Sequence, residues 1–432
     1  MKTKILSAIA SVLLLSNAYS QEVELTPFDT LAKSVTELQS DLGLLKKIKL
    51  SGYMQAQYQF CDSNGVKSYA GGDFPANNDK RFTLRRARLK ATYNGNFTQY
   101  VFQIDANEKG FSIKDMYAKV TEPWLQTVSL TFGCQNRPFG NEIGYSSSMR
   151  ESPERGRMSQ VIFPGERDLG AMLTFQLPKT SRFNFLKLEA GLFNGTGPGT
   201  VEFDKQKDII GHLSMNKSTK NEILNFGAGV SYYKGGWRQG NKFVWEEGTI
   251  NTTSGDITGF VVDSTTTNLG QYNKREYIGV DLQLNIDLPI GLTTFRAEYI
   301  QGTQPGIATS SASPSAQPTA DTYIRNFNGA YFYFVQNIMQ TKFQVVVKYD
   351  WYDPNIKVSG KDIVDVVDSK KTKLSSTDIM YSTLGLGFAY KWDENIKLTA
   401  YYDMVQNETT KLKGYTKDLP DNVLTIRMQY KF

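Results

Sequence analysis

From Lys49 to Phe432 the chain alternates apolar and polar residues with a period of two. That spacing puts successive side chains on opposite faces of a strand. Leu50, Gly52, Met54, Ala56, Tyr58 and Phe60 share one face, with Lys49, Ser51, Tyr53, Gln55, Gln57 and Gln59 on the other. Ala87, Leu89, Ala91 and Tyr93 stand opposite Arg86, Arg88, Lys90 and Thr92, and Tyr100, Phe102 and Ile104 opposite Val101, Gln103 and Asp105. The pattern recurs to give sixteen strands, ending with Leu424-Ile426-Met428-Tyr430-Phe432. Short links, such as Asn94-Gly95-Asn96, Glu122-Pro123-Trp124 and Asp393-Glu394-Asn395, alternate with long ones. The long links include Cys61 to Asp79, Cys134 to Arg167, Lys234 to Glu276 and Asp353 to Ile379, and Ala106 to Gly110 is the one short link on their side. An even-numbered up-and-down barrel with tight turns at one rim and large loops at the other produces this alternation. A soluble sandwich has no reason to keep it.

A barrel of sixteen strands is too wide for side chains to fill its lumen. The apolar face therefore meets lipid and the polar face lines a water-filled bore. Closure satisfies every backbone group and removes the sheet edges. The expected fold is an all-β, transmembrane, antiparallel β-barrel of about sixteen strands over residues 49–432. Aromatics at strand ends (Tyr349 and Trp351, Tyr390 and Trp392, Tyr430 and Phe432) match interfacial girdles.

Before Lys49 the period is helical. Thr26 can cap a helix, Pro27 suits its first position and Asp29 its first turn. Phe28, Leu31, Val35, Leu38, Leu42 and Leu45 then follow at heptad spacing. Over residues 21–48 this is either a short periplasmic helix packed on its own domain or a small coiled coil that joins copies of the chain. Lys2 and Lys4, the apolar run Ile5 to Leu15 and the small residues Ala18 and Ser20 form a secretory signal over residues 1–20, cleaved before Gln21.

Composition narrows the chemistry. The 432 residues carry a formal charge of +6, 24 Tyr, 25 Phe, two Cys and one His. Losing Lys2 and Lys4 with the signal lowers the charge to +4. Two Cys exclude a disulfide-rich scaffold. With one His, and no Gly-x-Ser-x-Gly or His-Glu-x-x-His, no catalytic residue, metal site or cofactor is expected. Cys61 and Cys134, both at outer strand ends, either form a disulfide between outer loops or stay free thiols. His212 reads as structural, and Gly195 to Gly199 as a loop tip.

The polar phase of the strands carries twelve cations against seven anions. Arg86, Arg88, Lys90, Lys119, Arg296, Lys348 and Arg427 are the candidate pore-lining, anion-binding residues, joined by Arg137 from the loop after the fifth strand. Lys and Arg in a narrow pore select anions by field and by replacing hydration. Against this, Arg86, Arg88 and Lys90 would be neutralised if they pair with Asp105 or Asp115 on neighbouring strands. Arg85 falls on the lipid phase, where a bulge or a contact between protomers would explain it. The segment 134–167 mixes Arg137, Arg150, Arg155, Arg157 and Arg167 with Glu142, Glu151, Glu154 and Glu166. It is the candidate constriction loop, the alternative being a solvated surface loop.

The closing strand Val423 to Phe432 is similar to the C-terminal strand of bacterial outer-membrane barrels. Over most of residues 49–432 the chain also resembles the phosphate-selective porins O and P, in their Bacteroides-like form. The resemblance is carried by the signal, the short helix and Leu50-Ser51-Gly52-Tyr53. It continues in Phe82-Thr83-Leu84-Arg85-Arg86-Ala87-Arg88-Leu89, Gly133 to Gly140 (with Arg137-Pro138-Phe139-Gly140) and Glu166-Arg167-Asp168-Leu169-Gly170. It implies a trimeric, anion-preferring diffusion porin in the outer membrane, in contact with its lipid and lipopolysaccharide, passing small anionic solutes and binding no nucleic acid. The loops Lys234 to Glu276 and Gly302 to Asn326 depart from that pattern. Two other functions fit a barrel. One is a general or carbohydrate-uptake porin, with Tyr53, Tyr117 and Tyr401 stacking sugars. The other is a surface hydrolase.

Overall fold

The computed structural model describes residues 27–314, 316, 317 and 319–432. The expected signal, 1–20, and the Thr26 cap lie outside them. The chain divides into a helical unit ending at Ile48 and a barrel unit from Lys49 to Phe432.

Among the described residues the helical unit contains one helix, Pro27–Lys47, with Lys46 and Lys47 in its last turn, where they meet the negative end of the helix dipole. Leu31, Val35, Leu38, Leu42 and Leu45 are all exposed. The surroundings of the Phe28 side chain lie outside the described residues. Among the described residues no helix is long and apolar enough to cross a membrane.

The barrel is built from β1 (Ile48–Cys61), β2 (Lys80–Asn94), β3 (Thr98–Asn107), β4 (Gly110–Thr121), β5 (Val128–Asn136), β6 (Arg167–Gln176), β7 (Leu186–Phe193), β8 (Asp208–Ser218) and β9 (Leu224–Arg238). It continues through β12 (Tyr272–Leu288), β13 (Gly291–Gly306), β14 (Thr322–Asn337), β15 (Phe343–Asp353), β18 (Tyr381–Lys391), β19 (Ile396–Asn407) and β20 (Val423–Lys431). Between them, β10 (Val244–Thr252) with β11 (Gly255–Asp263), and β16 (Val366–Val367) with β17 (Lys370–Lys371), are hairpins within outer loops. Each wall strand pairs antiparallel with its neighbours, and β1 closes on β20 from Tyr53–Lys431 to Cys61–Val423. The backbones of Gly52 and Phe432 exchange bonds of 3.1 and 3.0 Å at this seam. A Cβ on Gly52 would lie 2.6 Å from the Phe432 ring and 2.7 Å from the Arg88 carbonyl oxygen, so a side chain there would force one of them to shift.

The faces invert the arrangement of a soluble protein. Leu50, Leu89, Phe102, Leu130, Leu173, Val230, Val280, Phe332, Leu386 and Ile426 stand exposed on the outside. Gln55, Gln57, Arg86, Arg88, Asp105, Asp281, Glu298, Lys348, Asp350 and Arg427 are buried on the inside. The long links carry structure of their own. Phe260, Tyr323, Val358, Ile363, Leu374 and Ile379 form a small dry core among the outer loops.

Candidate functional site

The segment between β5 and β6 runs across the inside of the barrel. Its start is fixed by backbone donors: Gly140 N–H reaches Ser231 Oγ (2.8 Å), and Asn141 and Glu142 N–H both reach Glu298 Oε2 (3.0 Å each). Gly140 has a φ of 56°, and a Cβ there would collide with the Glu298 carboxylate. The chain then passes β1 and β20, where Tyr53 Oη meets Ser147 Oγ (2.5 Å), Gln55 Nε2 donates to Ser147 O (3.1 Å) and Gln429 Nε2 to Ser148 O (3.0 Å). Lys397 Nζ donates to Arg150 O (2.9 Å), Ser152 Oγ meets Tyr333 Oη (2.6 Å), and Arg157 N–H reaches Asp350 Oδ1 (3.1 Å). A one-turn-and-a-half helix, Arg157–Ile162, leads back towards β6.

At the middle of this path the carboxylate of Glu154 accepts from three guanidiniums. Arg85 donates at 2.9 and 3.0 Å, Arg86 at 2.5 and 3.2 Å, and Arg427 Nη2 at 2.8 Å. Arg86, Arg427 and Glu154 each keep about 5% of their side chains exposed. Burial alone would raise the Glu154 carboxyl. The field of Arg85, Arg86, Arg427 and Arg150 outweighs it and holds the group well below the usual carboxylate range. None of the Arg150 guanidinium nitrogens finds a hydrogen-bond partner among the described residues. Its own burial, then Arg155 and Arg86, lower it to about 10, so it stays a cation at neutral pH. Arg85, which sits on the lipid phase of the sequence pattern, thus turns inward. The β2–β3 ladder ends at Ala87–Ala106, which frees the upper part of β2 from the alternation imposed by β3.

The other expected pore residues divide by partner. Arg88 Nε lies 3.1 Å from Asp105, Lys90 Nζ 4.0 Å from Asp115, and Lys348 Nζ 3.0 Å from Asp350. Arg296 pairs with Glu151 and lies over the rings of Tyr145 and Tyr333. Among the described residues the Arg137 guanidinium donates to the carbonyls of Pro164 and Glu166 alone. Lys119 has no ion-pair partner among the described residues and lines a chamber of about 760 Å³ on the short-turn side. Lys90, Lys187, His212 and Asp281 line the same chamber, and His212 Nε2 lies 3.0 Å from Asp281. On the outer side a vestibule of about 630 Å³ opens between the loops. A gap of about 20 Å³, room for about one water, lies beside Glu154, Lys348, Asp350 and Asp403.

Two expectations change. The disulfide alternative fails: Cys61 and Cys134 are free and buried, their thiols donating to Ser63 O (3.0 Å) and Lys114 O (3.2 Å). The bore is also not wholly wet. Phe139, Ile143, Met158, Val161, Ile162 and Phe163 of the loop pack on Phe193, Ile210, Tyr233, Tyr277, Ile300, Phe327 and Tyr352 of the inner wall. The sequence did carry a signal for this. At the outer ends of these strands the alternation breaks into adjacent apolar pairs, Tyr232-Tyr233, Tyr277-Ile278 and Tyr299-Ile300. Inward glycines make the room: a Cβ on Gly279 would strike the Phe139 ring, and one on Gly329 would strike Met158. Of the sugar-stacking candidates, Tyr401 is packed over Gly385 and Gly387, and Tyr53 is bonded to the loop, which leaves Tyr117 on the chamber wall.

No family model matches the sequence, and no curated protein does. Solved structures match its fold. An anion-selective porin from Comamonas acidovorans is 11% identical with a TM-score of 0.50, over 89% of this chain and 99% of that one. The outer membrane channel DcaP of Acinetobacter baumannii is 12% identical with a TM-score of 0.50, over 89% and 97%. The chain is a closed sixteen-stranded antiparallel barrel with the fold of the outer-membrane porins.

Proposed function

We propose that this chain is an outer-membrane porin for passive diffusion, with a mild preference for small anions such as phosphate, of the kind the phosphate-selective O and P resemblance implies. The observation that carries the preference is the Glu154 cluster, in which four guanidiniums surround one carboxylate. The excess positive charge sits in a dry wall, where a field reaches further than it does through water. Lys119 and Lys90 extend it into the inner chamber. Anions move down their own gradient. The cations lower the barrier they meet, and the segment 134–167 narrows the passage by which they cross. The exposed heptad stripe of the N-terminal helix supports a homotrimer, exported by the signal and seated among outer-membrane lipid and lipopolysaccharide. No chemistry is catalysed in this reading.

Reversal potentials in planar bilayers under a salt gradient test it. Anion preference is expected, and neutralising Arg86, Arg88 and Lys90 together should diminish it, because Glu154, Asp105 and Asp115 lose counter-charge. A cation preference in the unmodified protein, or no conductance, overturns the reading.

A further inference from the structure

We infer that the outer vestibule is a binding site for a ring-shaped solute bearing one anionic group and several hydroxyls, chemically a sugar phosphate, with Arg157 as its anion contact. The inference rests on the porin reading and adds a solute class to it. Arg157 lies at the floor of the vestibule, where it meets the small gap beside Glu154. Its guanidinium is held between two rings, 3.7 Å from the Tyr381 centroid and 4.7 Å from that of Tyr69. Such stacking fixes a cation without neutralising it. No carboxylate lies within ion-pair distance of it among the described residues, whereas Arg155 and Arg167 of the same loop both pair with Glu166. A guanidinium that is oriented and engaged in no direct ion pair among the described residues, at the bottom of a cavity of about 630 Å³, suits an anion carried on a small-molecule body.

The rest of the lining defines that body. Tyr69, Tyr381 and Tyr415 supply ring surface, and Ser376 and Thr377 supply hydroxyls. Asp73 and Asp421 also face the cavity. These carboxylates repel a bare phosphate, which presents mainly acceptors. They favour a ligand that brings hydroxyl donors to them while its anionic group reaches Arg157. A sugar phosphate satisfies both demands, and its ring covers the tyrosines.

Calorimetry on the purified full-length protein in detergent would compare glucose 6-phosphate, glucose, inorganic phosphate and phenylalanine. Glucose 6-phosphate should bind at least tenfold more tightly than any of the others. Arg157→Gln should weaken it at least tenfold, and Asp421→Asn should weaken it while strengthening inorganic phosphate. Equal affinity for inorganic phosphate, for glucose or for the zwitterionic amino acid overturns the inference, as does unchanged binding in Arg157→Gln. The ranking on the unmodified protein stands as a test even where a variant fails to assemble. Bilayer conductance in potassium chloride separates the two levels. Anion-selective conductance without the ranking refutes the solute class alone, and absent conductance refutes the porin reading instead.

Discussion

Replacing Glu154 by glutamine should release the middle of the internal loop from the wall. In the native barrel this carboxylate takes five hydrogen bonds from Arg85, Arg86 and Arg427, at 2.5 to 3.2 Å, with only 5% of its side chain exposed. Glu154→Gln removes the one carboxylate those guanidiniums bond to, the same one whose charge Arg150 faces, in a buried pocket. Removing one partner of a buried ionic network costs about 3–5 kcal/mol. At about 1.4 kcal/mol per decade, the docking equilibrium of the segment should shift by about two to three and a half orders of magnitude. The barrel itself should persist, since its strand ladders do not involve Glu154. The assay is tryptic cleavage after Arg150 and Arg155 in detergent-solubilised protein, with single-channel conductance measured in parallel. Cleavage should accelerate by about two orders of magnitude and conductance should rise. Adding Arg427→Gln to Glu154→Gln should recover part of the loss, because the two residues share one network. The pH dependence has a definite sign. A carboxyl held below its unfolded value adds stability above about pH 4.3, and that stability is lost only as the pH falls through the lower folded value. The native loop should therefore stay docked from pH 7 down to about 4.5. Cleavage and conductance that remain within twofold of the unmodified protein in Glu154→Gln would refute the claim that this cluster holds the loop.

Three further outcomes follow from the same geometry. Gly140→Ala places a Cβ on the Glu298 carboxylate and strains a φ of 56°, so it should loosen the start of the loop and raise its hydrogen exchange by at least tenfold; unchanged exchange at Asn141 and Glu142 would contradict this. Cys61 and Cys134 should react with a maleimide only after denaturation, and reduction should leave gel mobility unaltered, whereas ready labelling of the intact barrel would place a thiol in solvent. Deleting Phe28 to Leu45 should lower the heat resistance of the proposed trimer in detergent by at least 10 °C, and an unaltered melting profile would remove the helix as its clamp.

The fold was legible because a membrane barrel leaves its pattern on every strand. Leu386 and Phe388 against Gly385 and Gly387, or Ile426 and Met428 against Arg427 and Gln429, record which side meets lipid without any help from tertiary context. The alternation of link lengths gave the direction of travel. The interior was only partly legible. Arg86 and Arg88 lie on the inner face as the period requires, but period two assigns a face and not a partner. Arg88 finds Asp105 on the adjacent strand, as register allows. Arg86 finds Glu154, 68 residues away on a loop whose path no periodicity encodes. Arg85 defeats the pattern because the local ladder stops, which is a property of β3 rather than of β2. The vestibule is least legible of all, since Tyr69, Arg157, Tyr381 and Asp421 come from four separate stretches of chain.

The internal loop also resolves a conflict between width and packing. A bore set by sixteen strands leaves more space than inward side chains can occupy, and a purely polar loop would have to enter it still hydrated and mobile. This loop solves the problem in two halves. One half is apolar, with Phe139, Met158 and Phe163 forming a dry contact against Tyr233, Tyr277 and Phe327, and that burial supplies the net attraction. The other half is ionic and hydrogen-bonded, from Ser147 to Glu154, and it fixes position more than it adds stability, because buried charges return little beyond their desolvation cost. The apolar half fills part of the bore, and beside Glu154, Lys348 and Asp350 the ionic half leaves a gap with room for about one water. Under the proposed anion preference, the modest excess of positive charge acts where this loop narrows the bore.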